Sequence, residues 1–248
     1  FFKGDKYWKF DESTSEVLSG YPKQISENWK GVPNDIDAVF QRTSDDDDKN
    51  NRIYFFKGNK YYRYFEGQVE NPDGTSISVW FDDIDESERP SSIDAVFQRT
   101  SDNDDKNNRI YFFKGDKYYR YFEGQIENPN GTSISVWFND IDESEKRPSS
   151  IDAVYQLDED DKKKIYFFQG EKYWRYDVGT LNIDEEYPKL ISDPDTYNFT
   201  TKIQTITDPI TTVAPTTTVA PTTTVAPTTT VAPTTTVAPT TTVAPTTT

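Results

Sequence analysis

Short apolar runs separated by a glycine recur along residues 1–200. The run Ile-Tyr-Phe-Phe begins at Ile53, Ile110 and Ile165, and a glycine and a second aromatic run follow each copy. The first ten residues repeat the same pattern without its beginning. The break between the two runs is Gly4-Asp5, Gly58-Asn59, Gly115-Asp116 or Gly170-Glu171. Because a tight hairpin turn needs a residue with positive φ, each pair of runs is predicted to be a β-hairpin.

A further strand is predicted ahead of each hairpin. The segment Ile-Asp-Ala-Val-Phe-Gln recurs at Ile36 and Ile93, and a close copy begins at Ile151, so the spacings are 57 and 58 residues. After the hairpin, Ser76 to Phe81 alternates apolar and polar residues and is predicted to be another strand. Four short strands in each of four repeats indicate an all-β, four-bladed β-propeller. Because the first copy begins at its second strand, its blade should lack the innermost strand.

The repeats divide the chain into four blades and a tail. We assign residues 1–36 to a partial first blade, 37–93 to the second, 94–151 to the third and 152–207 to the fourth. Residues 208–248 are a low-complexity segment built on Thr-Thr-Thr-Val-Ala-Pro. Regular proline prevents helix and sheet, so this tail is predicted to be disordered, either as a bare linker or as an O-glycosylated stalk. Since Phe1 falls inside a repeat, we expect a longer parent polypeptide.

Composition excludes several classes of function. The chain contains no His, Cys or Met, so it has no His-based catalytic triad and no imidazole or thiolate zinc site. Its net charge of −16 disfavours binding to nucleic acid. No apolar run approaches the about 18 residues of a membrane span. The sequons at Asn130 and Asn198 predict N-glycosylation and an extracellular location.

The acidic and aromatic clusters are explained by structural roles. The acidic stretches 45–48, 102–105 and 158–161 lack the central glycine and final glutamate of an EF-hand, so solvated loops are the preferred interpretation. Most aromatic side chains should pack between blades. The equivalent residues Arg63, Arg120 and Arg175 should stack on rings or pair with carboxylates. No carboxylate pair of the glycosidase type stands out.

These motifs together resemble the hemopexin repeat. The second half of the repeat is clearest in Gly20-Tyr21-Pro22-Lys23 with Trp29 and Gly31-Val32-Pro33. The first half is clearest in Asp94-Ala95-Val96 with Tyr111-Phe112-Phe113-Lys114-Gly115. The resemblance covers about residues 1–200 in four copies, and it implies a four-bladed propeller with the first strand of each blade lining a central channel.

The resemblance also implies one calcium ion in that channel. The ion would be held by main-chain carbonyls of Asp37, Asp94 and Asp152, with Val39, Val96 and Val154 next along the channel. Backbone oxygens suit a hard cation such as calcium. The alternative is that each aspartate only caps its strand and hydrogen-bonds to neighbouring backbone. The disulfide that closes related rings is missing here, because the chain has no Cys.

Two functions remain open, and a third is disfavoured. The preferred one is a non-catalytic extracellular module that binds a protein or matrix component. The alternative is the substrate-recognition domain of a matrix metalloproteinase whose zinc domain precedes Phe1. Haem transport is suggested only by the family name, and no haem is expected, because only Tyr could ligate the iron.

Overall fold

The computed structural model describes residues 1–11, 16–43, 51–100, 108–142, 146–159 and 162–192. In the first repeat, β1 (Phe2–Lys3) and β2 (Lys6–Tyr7) form a hairpin. A separate two-stranded sheet follows, made of β3 (Phe10–Asp11) and β4 (Glu16–Val17). The last strand, β5 (Lys23–Gln24), pairs with β2 and leads into the single-turn helix α1 (Ile25–Asn28). Because the hairpin begins at the second strand of the repeat, the described part of this blade contains no innermost strand.

The second and third repeats form two nearly identical blades. The second blade contains β6 (Ala38–Gln41), β7 (Ile53–Lys57), β8 (Lys60–Phe65), β9 (Gln68–Val69) and β10 (Thr75–Ser76). The third contains β11 (Ala95–Gln98), β12 (Ile110–Lys114), β13 (Lys117–Phe122), β14 (Gln125–Ile126) and β15 (Thr132–Ser133). All neighbouring strands are antiparallel, and the inner strand pairs in the same register in both blades, Ala38 opposite Phe56 and Ala95 opposite Phe113.

The fourth repeat has the longest strands. It contains β16 (Ala153–Glu159), β17 (Lys162–Gln169), β18 (Lys172–Asp177), β19 (Asn182–Ile183) and β20 (Lys189–Leu190). Its sheet runs from β16 through β17 and β18 to β19, and β20 pairs with the other end of β18. The main sheet of each repeat forms one blade, so the four repeats build a four-bladed β-propeller, as the repeat pattern predicts. No helix among the described residues is long and apolar enough to cross a membrane.

The glycine turns are as predicted. Gly4, Gly58, Gly115 and Gly170 have φ between 55° and 61°. In each hairpin the lysine or glutamine before the glycine pairs with the lysine two positions after it, for example Lys57 with Lys60. Glycine at the first turn position supplies the positive φ that other residues adopt only with strain, which explains why the hairpins are so regular.

The predicted strand from Ser76 to Phe81 is wrong. Residues Ile77–Trp80 form a 3₁₀-helix, and the equivalent residues Ile134–Trp137 do the same in the third blade. The Ser76 side chain accepts a hydrogen bond from the Ser78 amide and so begins the helical turn. Ile77, Trp80 and Phe81 are buried, whereas Val79 is 49% exposed. The apolar spacing of three and four residues therefore outweighs the apparent alternation. A second 3₁₀-helix, Glu86–Glu88, follows in the second blade.

Aromatic side chains hold neighbouring blades together in a repeated arrangement. Phe55, Phe112 and Phe167 are each completely buried. Each packs against the tryptophan of the preceding blade with ring centroids 5.4 Å apart, and these partners are Trp29, Trp80 and Trp137. The core therefore lies between the sheets, and it accounts for most of the aromatic runs in the sequence, as predicted.

Candidate functional site in the inner strands

The three inner strands bring the predicted channel residues onto neighbouring elements. Strand β11 lies between β6 and β16, and Asp37, Asp94 and Asp152 each stand directly before one of these strands. Their main-chain amides donate to Phe56, Phe113 and Phe168, which extends each ladder by one bond. The structure therefore places the three aspartates at equivalent positions in adjacent blades.

The aspartate side chains are used by the blades themselves. The carboxylates of Asp37, Asp94 and Asp152 accept hydrogen bonds from the amides of Gly58, Gly115 and Gly170, at 2.6, 2.8 and 2.8 Å. The Lys114 ammonium also donates to Asp94, at 2.6 Å. Each aspartate thus fastens its inner strand to the glycine turn of its own hairpin.

The valines do not offer side chains to a channel ligand. Val96 is 2% exposed and packs in the cluster between the second and third blades. Val154 is partly buried against the third blade, and Val39 against the first. At these three positions the main-chain carbonyl is the only oxygen, so a ligand could be held only through it.

The donor set fits a hard cation only through the backbone. In the described parts of the chain, no three His, Cys, Asp or Glu side chains are grouped to hold a metal ion. Calcium binds about six to eight oxygens and accepts main-chain carbonyls. Equivalent carbonyls at Asp37, Asp94 and Asp152 would provide part of that number. The acidic stretches 45–48 and 102–105 lie outside the described residues, as do the side chains of 158–161.

The repeated arginines are paired with carboxylates, as predicted. Arg63 Nε lies 2.5 Å from Glu70 Oε2, Arg120 pairs with Glu127 in the same way, and Arg175 Nε lies 2.5 Å from Asp184. A second cation, in or directly before the preceding strand, joins each carboxylate. These second cations are Arg52 at 3.0 Å, Arg109 at 2.8 Å and Lys164 at 3.3 Å. Arg175 also stacks on Tyr187.

These ion pairs lower the pKa of both glutamates, Glu70 and Glu127. Burial alone would raise the pKa of Glu70, but hydrogen bonds from Arg52 and Arg63 hold that pKa below its usual value. The pKa of Glu127 is lowered in the same way by Arg109 and Arg120, against the opposing effect of burial. A carboxylate held ionised between two cations is a poor proton donor, so these groups are suited to structure rather than to acid catalysis.

A cavity of about 280 Å³ lies where the third blade meets the fourth. Asp140, Asp142 and Asp184 are among its lining residues. The Asp140 carboxylate accepts from the Ile183 amide at 2.8 Å, as Asp83 does from Ile126 one blade earlier. Asp184 is paired with Arg175 of its own blade. Asp140 and Asp184 are thus both used in contacts within the propeller itself.

Two glutamines have a role that the sequence patterns did not predict. The Gln98 side chain accepts from the Thr43 amide at 2.7 Å and donates to the Thr43 carbonyl at 2.6 Å. Gln156 makes the same two bonds with Thr100, at 3.1 and 2.7 Å. Each glutamine therefore clamps the main chain of the preceding blade. The sequence signal for this role is that a glutamine directly follows each Ala-Val-Phe or Ala-Val-Tyr run.

The two predicted glycosylation sites lie in different parts of the chain. Asn130 lies in an exposed turn at the outer edge of the third blade, where its carbonyl accepts from Lys117 at 3.1 Å. Thr132, the third residue of the sequon, accepts from Asn128 through its hydroxyl at 2.9 Å. Asn198 and the tail lie outside the described residues.

Comparison with known proteins agrees with this architecture. The family model described as Hemopexin matches residues 1–34, 36–85, 93–142 and 151–194. Among solved structures, the hemopexin fold protein CP4 from cow pea superposes with a TM-score of 0.61 at 22% identity, covering 84% of this chain and 92% of that one. A plant albumin from Cicer arietinum that shows hemagglutination has the same TM-score at 20% identity and the same coverage. At these identities the likeness concerns the fold.

Curated relatives fall into two groups. Vitronectin from Oryctolagus cuniculus is 35% identical over 140 residues, 55% of this chain and 27% of its own. Stromelysin-3 from Xenopus laevis is 28% identical over 194 residues, 77% of this chain and 35% of its own. The chain thus spans about a quarter to a third of these relatives. Because the family model matches four successive segments that coincide with the four blades, the chain belongs to the hemopexin family.

Proposed function

We propose that this chain is a non-catalytic extracellular binding module that recognises a protein or matrix component. The observation that carries the proposal is the match of all four blades to a family that includes vitronectin and matrix metalloproteinase relatives. The repeated ion pairs support it, because Glu70, Glu127 and Asp184 are each held by two cations within their own blade. The partner would then be bound by exposed loops and strand edges of a rigid propeller.

The tail is proposed to act as a stalk for this module. Threonine next to proline is typical of O-glycosylated stalks, and the Thr-Thr-Thr-Val-Ala-Pro unit recurs with a period of six residues. N-glycosylation at Asn130 and Asn198 belongs to the same extracellular setting.

Binding is tested directly with the whole chain on immobilised extracellular matrix proteins. Saturable binding to at least one component, lost after heat unfolding of the chain, is the expected result. A synthetic peptide with three Thr-Thr-Thr-Val-Ala-Pro units is the control for binding through the tail alone. Absence of saturable binding across the panel, or equal binding by the peptide, would contradict the proposal.

A second candidate is the substrate-recognition domain of a matrix metalloproteinase. It is favoured by coverage, because matrix metalloproteinase-21 from Mus musculus and stromelysin-3 align with 71% and 77% of this chain, against 55% for vitronectin. The protein encoded upstream of Phe1 decides between the two. A His-Glu-x-x-His helix there would make this chain the targeting domain of a zinc protease.

A channel calcium ion completes the proposed module. The main-chain carbonyls of Asp37, Asp94 and Asp152 would bind it, and the ion would supply a rigid link between inner strands. No haem is proposed, because the chain has no His or Met.

A further inference from the structure

The turn between β18 and β19 of the fourth blade departs from its counterparts in the middle blades at one position. In the second and third blades, the residue directly before β9 or β14 is Gly67 or Gly124, with φ of 86° and 93°. Leu181 stands at this position in the fourth blade, because Asn182 pairs with the last residue of β18 as Gln125 pairs with the last residue of β13. Leu181 also has a positive φ, of 63°. A leucine thus occupies a left-handed position that the middle blades give to glycine.

This leucine does not serve the stability of the propeller. A residue with a Cβ adopts the left-handed conformation only with strain, which glycine avoids. Leu181 is 50% exposed, so its burial does little to offset the strain. Backbone strain of this kind is concentrated at sites that bind or catalyse, where it is part of the mechanism. The position therefore points to a binding role, since the fold itself would be served better by glycine.

The turn holds the leucine in a fixed place. The Asp177 carboxylate accepts hydrogen bonds from the Gly179 and Thr180 amides, at 2.7 and 3.2 Å. The Asp177 carbonyl accepts from the Leu181 amide, at 2.9 Å. Val178 packs into the apolar cluster between the third and fourth blades. Because the turn is already ordered in this way, a partner that binds the leucine loses little additional conformational entropy.

The exposed tip of the turn carries no charge. Gly179, Thr180, Leu181 and Asn182 are all exposed and none of them is ionisable, although charged residues make up 28% of the chain. Asp177, at the base of the turn, is paired with the Lys164 ammonium at 2.8 Å. A partner that fits this tip therefore needs an apolar pocket with an uncharged rim.

We propose that the tip formed by residues 179–182, with Leu181 as its apolar anchor, is a docking site of the binding module. Its partner is a protein with an apolar pocket that accepts one leucine side chain and is rimmed by uncharged hydrogen-bonding groups. Burial in that pocket supplies the apolar gain that the fold leaves unused at this position. The inference rests on the proposed function, because it names the surface through which the module binds.

The test compares the parent chain with two Leu181 variants on the immobilised extracellular matrix proteins. Leu181→Gly restores the glycine of the middle blades, and Leu181→Asn keeps a side chain that adopts positive φ more readily. Both variants should bind about tenfold more weakly, since the apolar anchor is removed. Their thermal midpoints should be equal to or higher than that of the parent, because strain is relieved. A leucine with a purely structural role would not give this combination.

Two controls separate the tip from the rest of the surface. Leu190→Thr is the matched variant, because Leu190 is 46% exposed in β20 of the same blade and lies outside the tip, so it should bind like the parent. Binding by the parent should also persist when salt is raised from ~0.15 M to ~1 M, since the tip is uncharged.

The outcomes distinguish this inference from the proposed function. If the parent binds and the Leu181 variants bind equally well, or if high salt abolishes binding, the docking site is overturned and the proposed function stands. A clear fall in the thermal midpoint of Leu181→Gly also overturns the docking site, because the leucine would then be structural. A parent chain that binds no protein of the panel overturns the proposed function and this inference with it.

Discussion

At the scale of single residues, the recurring aspartates are explained by the backbone next to them. The Asp37, Asp94 and Asp152 carboxylates each accept the amide of a hairpin glycine. A left-handed turn exposes that amide, and a carboxylate is its strongest acceptor. The side chain therefore fixes the turn to the inner strand, a role separate from any that the main-chain oxygen of the same residue has. The two interpretations of the motif, strand cap and metal site, concern different atoms.

Replacing Asp94 by Ala should destabilise the propeller. The change removes the acceptor of the Gly115 amide and the partner of Lys114, so we expect a loss of about 1–3 kcal/mol and a thermal midpoint a few degrees lower. Thermal unfolding followed by circular dichroism is the measurement. Asp116→Ala, an exposed turn residue in the same hairpin, is the matched control and should change stability little. Equal midpoints for the two variants would contradict the clamp.

The Glu127 pair predicts a specific pH dependence. Since the folded pKa of Glu127 lies below its usual value of 4.5, the ion pair contributes stability above pH 4.5 that is lost as pH falls through the folded pKa. Glu127→Gln should therefore be less stable than the parent at neutral pH, and the difference should shrink below pH 4.5. Chemical denaturation between pH 3 and 7 measures this. Glu123→Gln, on the exposed turn beside it, should follow the parent curve at every pH.

Asn130 should carry an N-glycan when the chain is made in a eukaryotic secretory pathway. The residue is exposed in a turn, and the near-identical second blade has Asp73 at this position, so Asn130→Asp should fold normally. Intact mass before and after glycosidase treatment would show the loss of one glycan in that variant. A parent protein without a glycan at Asn130 would contradict the prediction.

At the scale of elements, different sequences build the same outer strand. In the first and fourth blades, this strand follows Tyr21-Pro22 and Tyr187-Pro188. The two middle blades have no Tyr-Pro pair before this strand, and an asparagine side chain holds the strand instead. Asn128 accepts from the Arg120 amide at 2.6 Å and donates to the Tyr118 carbonyl and the Thr132 hydroxyl. Asn71 makes the equivalent three bonds in the second blade. The asparagine thus connects the outer strand to its neighbour, and β10 and β15 keep the position of β5 and β20.

Asn128→Ala should therefore loosen the outer edge of the third blade. Three hydrogen bonds are lost and backbone groups of β13 lose their partners, so we expect a loss of about 2–3 kcal/mol. Hydrogen exchange should speed up in residues 117–133 and stay unchanged in 60–76 of the second blade. Chain made in bacteria with Asn130→Asp, two residues away, is the control. Unchanged exchange in residues 117–133 would contradict the role of Asn128.

At the scale of the whole molecule, one interface is used repeatedly. A phenylalanine from each later blade enters an aromatic cluster with the tryptophan of the blade before it. Polar contacts surround this cluster, the glutamine clamps at the inner strands and Asp83 and Asp140 at the outer ones. At the first interface, Gly31 allows close approach instead, since a Cβ there would lie 3.3 Å from Val69. The ring is therefore held by blade-to-blade contacts between successive repeats.

Calcium should stabilise the ring as a whole. If main-chain carbonyls of the three inner strands bind the ion, excess calcium should raise the thermal midpoint of EDTA-treated protein, because the ion binds only the folded state. Magnesium is the control, since it requires a tighter octahedral site. Identical midpoints in calcium, magnesium and EDTA would remove the channel ion from the proposed function.

The sequence alone determined the repeat, the hairpins and the family. Gly58 and Gly115 predict turns because positive φ is a local requirement, and the regular copies of Tyr-Phe-Phe imply one blade each. Residue type limited Arg63 and Arg120 to stacking on rings or pairing with carboxylates, and the structure shows the pairing. Each of these inferences depends on contacts within one repeat, which short-range patterns can specify.

Only the tertiary structure decided which contacts join repeats and which atoms a site can use. Ser76 to Phe81 reads as a strand by alternation, but burial of Ile77 and Trp80 between blades selects a 3₁₀-helix. Gln98 reaches a threonine 55 residues earlier, which no local pattern specifies. The hydrogen bond from the Gly115 amide to the Asp94 carboxylate likewise depends on how the strands are paired. Contacts between distant segments fix these features, because their energies arise only when the blades meet.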